Sequence, residues 1–420
     1  MKNFRVCYLV SLAICGAAAQ TAAVVDPSTL DNKVLLGYQG WFACPQDGTN
    51  WSHWSRGVPS ADTLTIDVYP DLREFGADEL CQIPGMTIAG KPAYLFSSRI
   101  QKTVSRHFQW MKGYGLDGVL LQRFVGTIRS KHADGDLVLR NVMAAARESG
   151  RTFAIEYDIS GGNPDTFVQT LKDDWMYLVD ERKVTAHPNY QRHNGKPVLS
   201  IWGMGLNDGN GHPPLNPQVA KDLIEWFKSG APPKYRVTYI GGTAARWRTL
   251  TADARTDPAW ADVYASMDVV QPWTVGRYHS PEQSDRWKEE ELIPDQKLLA
   301  SRHQVYMPVI FPGFSWHNLN RKSPENQIPR LGGEFLWRQA YNAKLAGARV
   351  LKIAMFDEVN EGTAILKAAP HRKDAPDQGY WLTLDADGAE LPSDWYLRLA
   401  GEITRMFHGE IQPSPQLPLH

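Results

Sequence analysis

Eight short apolar runs, each followed by a stretch of helical periodicity, constrain this chain more than any other feature. The runs cover 34–38, 118–122, 153–157, 197–201, 236–240, 269–271, 305–310 and 350–355. The stretches that read as helices are 100–113, 136–149, 164–181, 217–228, 258–267, 281–300, 333–345 and 393–407. Several of these open on Pro or beside Asp or Ser, the residues that start helices. Strands that are apolar throughout suit a parallel sheet covered on its outside. Strand and helix alternating eight times predict a single α/β domain, the (β/α)8 or TIM barrel. An open doubly wound sheet is the other candidate, and it normally carries a Gly-rich phosphate loop after its first strand. Gly37-Tyr38-Gln39-Gly40-Trp41-Phe42 has the wrong spacing for one.

The barrel starts after a different kind of segment. Lys2 and Arg5 precede a short apolar run, 6–18, that ends in small residues. That is the pattern of a cleavable secretory signal, and Ala17-Ala18-Ala19 fits the small-x-small rule for removal of 1–19. The run is shorter than the roughly 20 apolar residues that a spanning helix needs. The reading is therefore of a secreted or periplasmic protein whose domain, 20–420, acts as a monomer away from membranes. A net charge of −1 gives no electrostatic footprint for nucleic acid or an anionic bilayer.

The main irregularity is a long insertion, 41–97, between the first strand and its helix. In a barrel the strand-to-helix loops build the ligand face, so this insertion, with Trp51, His53, Trp54 and Arg56, is expected to wall a cleft. It also holds Cys44 and Cys81, the two cysteines left once the signal is removed. In an oxidising compartment they are expected to pair. The 15 tryptophans supply flat apolar faces suited to sugar rings, although most are expected in the core.

The densest acidic cluster at any expected strand end is Asp357, Glu358 and Glu361, after the eighth strand. Hydrolysis of a glycosidic bond usually takes two carboxyl groups, one donating a proton to the leaving oxygen and one acting on the other side as base or nucleophile. In a continuing strand, residues three apart would face opposite ways. Asn360 and Gly362 instead predict a turn that brings Glu358 and Glu361 to one side. The alternative is a solvated acidic loop paired with Lys352 or Arg372.

The segment Phe356-Asp-Glu-Val-Asn-Glu-Gly-Thr363 resembles the Phe-Asn-Glu-Trp-His-Glu-Gly-Thr segment of the glycoside hydrolase family 99 endo-α-mannosidases. It is also similar to the Asn-Asp-Tyr-Gly-Glu segment of the family 71 α-1,3-glucanases. Pro312-Gly313-Phe314 resembles the Pro-Gly-aromatic turn of family 99. The resemblance implies a (β/α)8 barrel and hydrolysis of an α-linked glycan without cofactor. The family 99 likeness implies retention, with Glu358 deprotonating the sugar 2-hydroxyl and Glu361 acting as acid and then base; the family 71 likeness leaves inversion as the alternative, which the carboxyl separation distinguishes. Val359-Asn360 replaces the Trp-His of family 99, and the first strand lacks its Tyr-Tyr-x-Trp-Tyr pattern, so the sugar does not follow from the likeness.

Other strand ends offer substrate contacts: Tyr38, Gln39 and Trp41, Arg123, Asp158, Trp202, Trp273, Trp316 and Asp357 itself. Polar and aromatic residues gathered at one barrel end describe an oligo- or polysaccharide site. Competing chemistries lack their patterns. His187 and His193 do not have zinc-ligand spacing, no Gly-x-Ser-x-Gly elbow is present, and no metal is expected. A non-catalytic carbohydrate-binding barrel is the alternative from another functional class.

Overall fold

The computed structural model describes residues 24–207, 209 and 215–419; the expected signal segment, 1–19, lies outside the described residues. Eight parallel strands form the barrel wall: β1 (Val34–Tyr38), β2 (Gly118–Phe124), β3 (Thr152–Asp158), β4 (Lys196–Met204), β5 (Thr238–Thr243), β6 (Val269–Pro272), β7 (Val305–Tyr306 and Val309–Ile310) and β8 (Leu351–Ile353). Each is followed by a helix. These are α1 (Gln101–Gly113), α2 (His132–Ser149), α3 (Phe167–Asp180), α4 (Pro217–Glu225), α5 (Trp260–Ala265), α6 (Pro281–Trp287, continuing to Ser301), α7 (Glu334–Leu345) and α8 (Trp395–His408).

The ring closes. β1 pairs with β8, Val34 opposite Leu351, and with β2 on its other side. Pairing then runs in chain order to β6. The expected seventh strand is broken in two. Its first half pairs with β6 and its second with β8. Pro308 sits in the break, where it has no N–H to give and its carbonyl accepts from Lys352 N–H at 3.0 Å.

The strands are apolar because helices cover them: every residue of β1 and β3 is buried. The tryptophans mostly serve packing, as expected. Trp54, Trp175, Trp247, Trp260 and Trp337 are each less than 2% exposed.

The insertion after β1 contains structure that the sequence reading left unassigned, an antiparallel hairpin of Leu80–Ile88 and Lys91–Phe96. Ala89 and Gly90 both have positive φ, as its two-residue turn requires. Pro84-Gly85, which reads as a strand breaker, falls where the register shifts. Trp54 packs on Phe42 and Phe96 as a small core for the insertion.

Cys44 and Cys81 are bonded and tie the end of the β1 loop to the hairpin, 37 residues on. Closing a loop of that length restricts the unfolded chain, so the double substitution Cys44→Ala/Cys81→Ala should cost about 3 kcal/mol. Urea denaturation would register this as a lower midpoint.

Candidate active site

The acid segment follows β8 and is held from every side. Asp357 is fully buried and accepts the backbone N–H groups of Gln39 (2.8 Å) and Gly40 (2.9 Å), locking the end of β1 to the end of β8. The chain then turns as expected. The Glu358 carbonyl accepts Thr363 and Ala364 N–H, and the Glu361 carbonyl accepts Ser315 N–H at 2.8 Å. Gly362 has φ +64°, and a Cβ there would lie 2.8 Å from Ser315 N, so the position requires glycine. Arg330 donates to the carbonyls of Gly362 and Ala364.

Val359 and Asn360, between the two glutamates, serve the insertion. Val359 O accepts Asp67 N–H, and Asn360 Nδ2 donates to the carbonyls of His53 and Thr65.

This frame fixes two coupled carboxyls. Glu358 is 3% exposed, and its Oε2 accepts Gln39 Nε2–H at 2.5 Å. Burial, then the charges of Glu361 and Asp357, push its carboxyl well above the usual range, against the Gln39 and Asn360 hydrogen bonds. Glu361 is partly exposed. Burial, then Asp158, raises it from 4.5 to about 7. Asp357 is raised by burial to about 6, opposed by its backbone donors. The Glu358–Glu361 pair therefore retains a proton at neutral pH, the condition for an acid beside a base.

The same shift has a stability cost. A carboxyl raised on folding contributes fully below its unfolded value, near 4.5 for Glu361, and loses that contribution as pH rises through about 7. Glu361→Gln should therefore be more stable than wild type above neutrality by roughly 1–2 kcal/mol, allowing for partial exposure. Near pH 4, where the carboxyl is protonated in both states, the difference should vanish. Paired thermal melts across pH test this.

The remaining expected contacts divide by strand face. Asp158, at the end of β3, lies close enough to Glu361 to raise it. Trp202, near the end of β4, and Trp273, following β6, meet edge to face at 5.4 Å. Trp316 packs on Phe314. Its loop is held by Asp67, which accepts from Ser315 Oγ (2.5 Å), His317 N (2.8 Å) and Asn318 N (2.8 Å).

Tyr38 and Arg123 do not point at the glutamates, although Arg123 borders the cavity beside them. Tyr38 OH bonds His107 Nδ1 under α1 at 2.9 Å. Arg123 is bound to Asp174 of α3 (2.6 Å) and Asp136 of α2 (3.3 Å), so its fork holds helices to the sheet. Asp357 spends both oxygens on backbone donors and anchors the loop. Trp41 cannot offer a sugar its face, because His53 stacks on it at 4.0 Å and Phe124 at 5.1 Å. Its indole N–H, that of Trp316 and Glu358 Oε1 are buried without hydrogen-bond partners among the described residues. His187 and His193 serve backbone turns, their Nδ1 atoms accepting Asn189 and Leu30 N–H.

His53, from the insertion expected to wall a cleft, lies at the site, and so does Phe124, which was not singled out from sequence. Phe124 had a signal: it shares the β2 face of Gln122 by period two. Below the site a polar layer crosses the barrel. Lys352 Nζ meets Glu156 at 2.5 Å with both side chains fully buried, and Gln122 and Ser200 also donate to Glu156. Lys352 Nζ lies 5.3 Å from the Trp273 ring centroid, linking this layer to the Trp202–Trp273 pair.

No protein-family model matches the sequence, and no curated protein matches it significantly. Among solved structures, the chain is similar to the family 99 endo-α-mannosidase of Bacteroides thetaiotaomicron, with TM-score 0.66 and 18% identity over 91% of this chain and 99% of that one. The complex of that protein with Bis-Tris propane matches equally. A glycoside hydrolase-like protein matches with TM-score 0.54 and 14% identity over 90% and 96% of the two chains. At these identities the likeness is one of fold, and it is the (β/α)8 fold expected from the strand count.

Proposed function

We propose that this protein is an exported glycoside hydrolase that cleaves an α-linked, mannan- or glucan-like glycan with Glu358 and Glu361. The observation that carries the reading is the carboxyl pair at the end of β8, one buried and one partly open, coupled and raised together. Such a pair holds one proton to give and one basic oxygen to receive. The solved structures of similar fold add support, since their names describe an endo-α-mannosidase and a glycoside hydrolase-like protein.

Following the resemblance in the acid segment, Glu358 takes the proton of the 2-hydroxyl as that oxygen bonds C1. The bond from C1 to the leaving oxygen breaks, and Glu361 protonates that oxygen. Water then opens the 1,2-anhydro sugar at C1, giving its proton to Glu361, while the 2-oxygen regains one from Glu358. The configuration at C1 is retained. Burial and the neighbouring acids raise both carboxyls, so the pair holds a proton that this scheme places on Glu361, with Glu358 ionised as the base. The Cys44–Cys81 bond supports export to an oxidising compartment.

A product-resolved screen against α-mannans and α-glucans, followed by NMR of the first anomer released, tests this reading. Cleavage with retained configuration is expected. Glycan binding without cleavage of any substrate would instead identify a carbohydrate-binding barrel.

A further inference from the structure

Beside the glutamate pair, the loops after β1 and β2 and the first turn of α2 enclose a cavity of about 680 Å³. That volume lies within the range of small-ligand sites. Gln39, which donates to Glu358, lines it, so the cavity adjoins the proposed reaction centre. One wall is apolar, made of Trp51 and the Trp41–His53–Phe124 stack. Burial, then nearby Lys131, lowers His53 to about 4, so its ring is neutral at physiological pH.

The other wall is charged, with cations in excess. Arg99, Arg123 and Lys131 line the cavity against one acid, Asp134, among the described residues. Arg123 is balanced by Asp136 and Asp174, and Arg99 by Asp134 and Asp47. Lys131 is exposed and has no ion pair among the described residues, and Arg99 Nε is buried without a hydrogen-bond partner. No side chain caps α2, which starts on this wall and adds the positive end of its dipole.

We propose that this cavity binds an acidic substituent of the glycan, a carboxylate or sulfate ester, on a sugar next to the one cleaved. The inference rests on the glycosidase reading of the neighbouring carboxyls. The two ends of the site have opposite electrostatic character. A negative group at the reaction centre would face Glu358, Glu361 and Asp158, whereas at Lys131 it meets an unbalanced cation. That contrast sets the register of an acidic chain and leaves the apolar wall to carry the ring bearing the charge.

Calorimetric titration of the whole protein with an oligogalacturonide, a sulfated oligosaccharide and a neutral manno-oligosaccharide of equal length tests the proposal. At least one acidic ligand should bind about tenfold tighter than the neutral one at low salt, an advantage that falls as salt is added. The tighter of the two acidic ligands identifies the substituent. Lys131→Glu should remove the advantage while neutral binding and the melting temperature stay unchanged, and Lys131→Ala should remove part of it.

Neutral binding as tight as acidic binding, loss of both in Lys131→Glu, or no acidic binding would overturn the proposal. Cleavage of a neutral glycan alongside any of these would leave the glycosidase reading standing. Salt-sensitive acidic binding with no cleavage of any glycan would instead sink that reading and keep the site.

Discussion

Glu361→Gln should reduce turnover of a polysaccharide by about a thousandfold while binding persists. The amide keeps the size of the side chain and its backbone carbonyl bond to Ser315, but has no proton to give to a leaving sugar oxygen. A leaving group that departs without protonation does not need that proton. On an aryl α-glycoside with an acidic phenol, the first step in Glu361→Gln should therefore approach the wild-type rate. Glu358→Gln should be slow on both substrates by a similar factor, because the base is needed whatever leaves. Equal losses for both variants on both substrates would refute the assignment of separate roles. Full activity in either variant would refute the pair. The basic limb of the wild-type rate profile should fall above about pH 7, where Glu361 loses its proton.

Lys352→Met should destabilise the fold by about 3–5 kcal/mol, the largest stability effect expected from one substitution here. Lys352 and Glu156 are both fully buried. Removing the cation leaves a carboxylate inside the barrel with Gln122 and Ser200 as its side-chain donors among the described residues. Adding Glu156→Gln removes the stranded charge, so the double variant should recover most of the loss in chemical denaturation. Additive losses would show that the two groups do not depend on each other. Trp273 also loses its neighbouring ammonium in Lys352→Met, so weaker glycan binding should accompany the lower stability.

Most of the barrel was legible because helix-covered parallel strands are apolar on both faces, and a run such as 34–38 has few other places to go. The seventh strand was too long in the sequence reading: an apolar run across Met307-Pro308 hides the missing N–H that splits it. The hairpin at 80–96 was hidden by Pro84-Gly85, which marks an irregular register rather than an end. At the site, the turn between Glu358 and Glu361 followed from Asn360 and Gly362. Tyr38 and Arg123 were chosen by chemical type; strand parity turns both away from the glutamates, and Arg123 reaches only the wall of the neighbouring cavity. The inward face of β2 runs through Gln122 to Phe124. The stack that closes both faces of Trp41 joins segments far apart in sequence, and no local pattern announces it.

The pairing of Val34 with Leu351 bears on how the molecule reaches its active form. Asp357 is held by the backbone of Gln39 and Gly40, so the carboxyl geometry is complete only when the two distant parts of the chain have met. Helices and most strand pairs form between sequence neighbours, and that contact does not. On refolding, helical signal should therefore return before any catalytic capacity does. A chain still growing, with β8 not yet made, would be chemically silent however much of its wall had assembled.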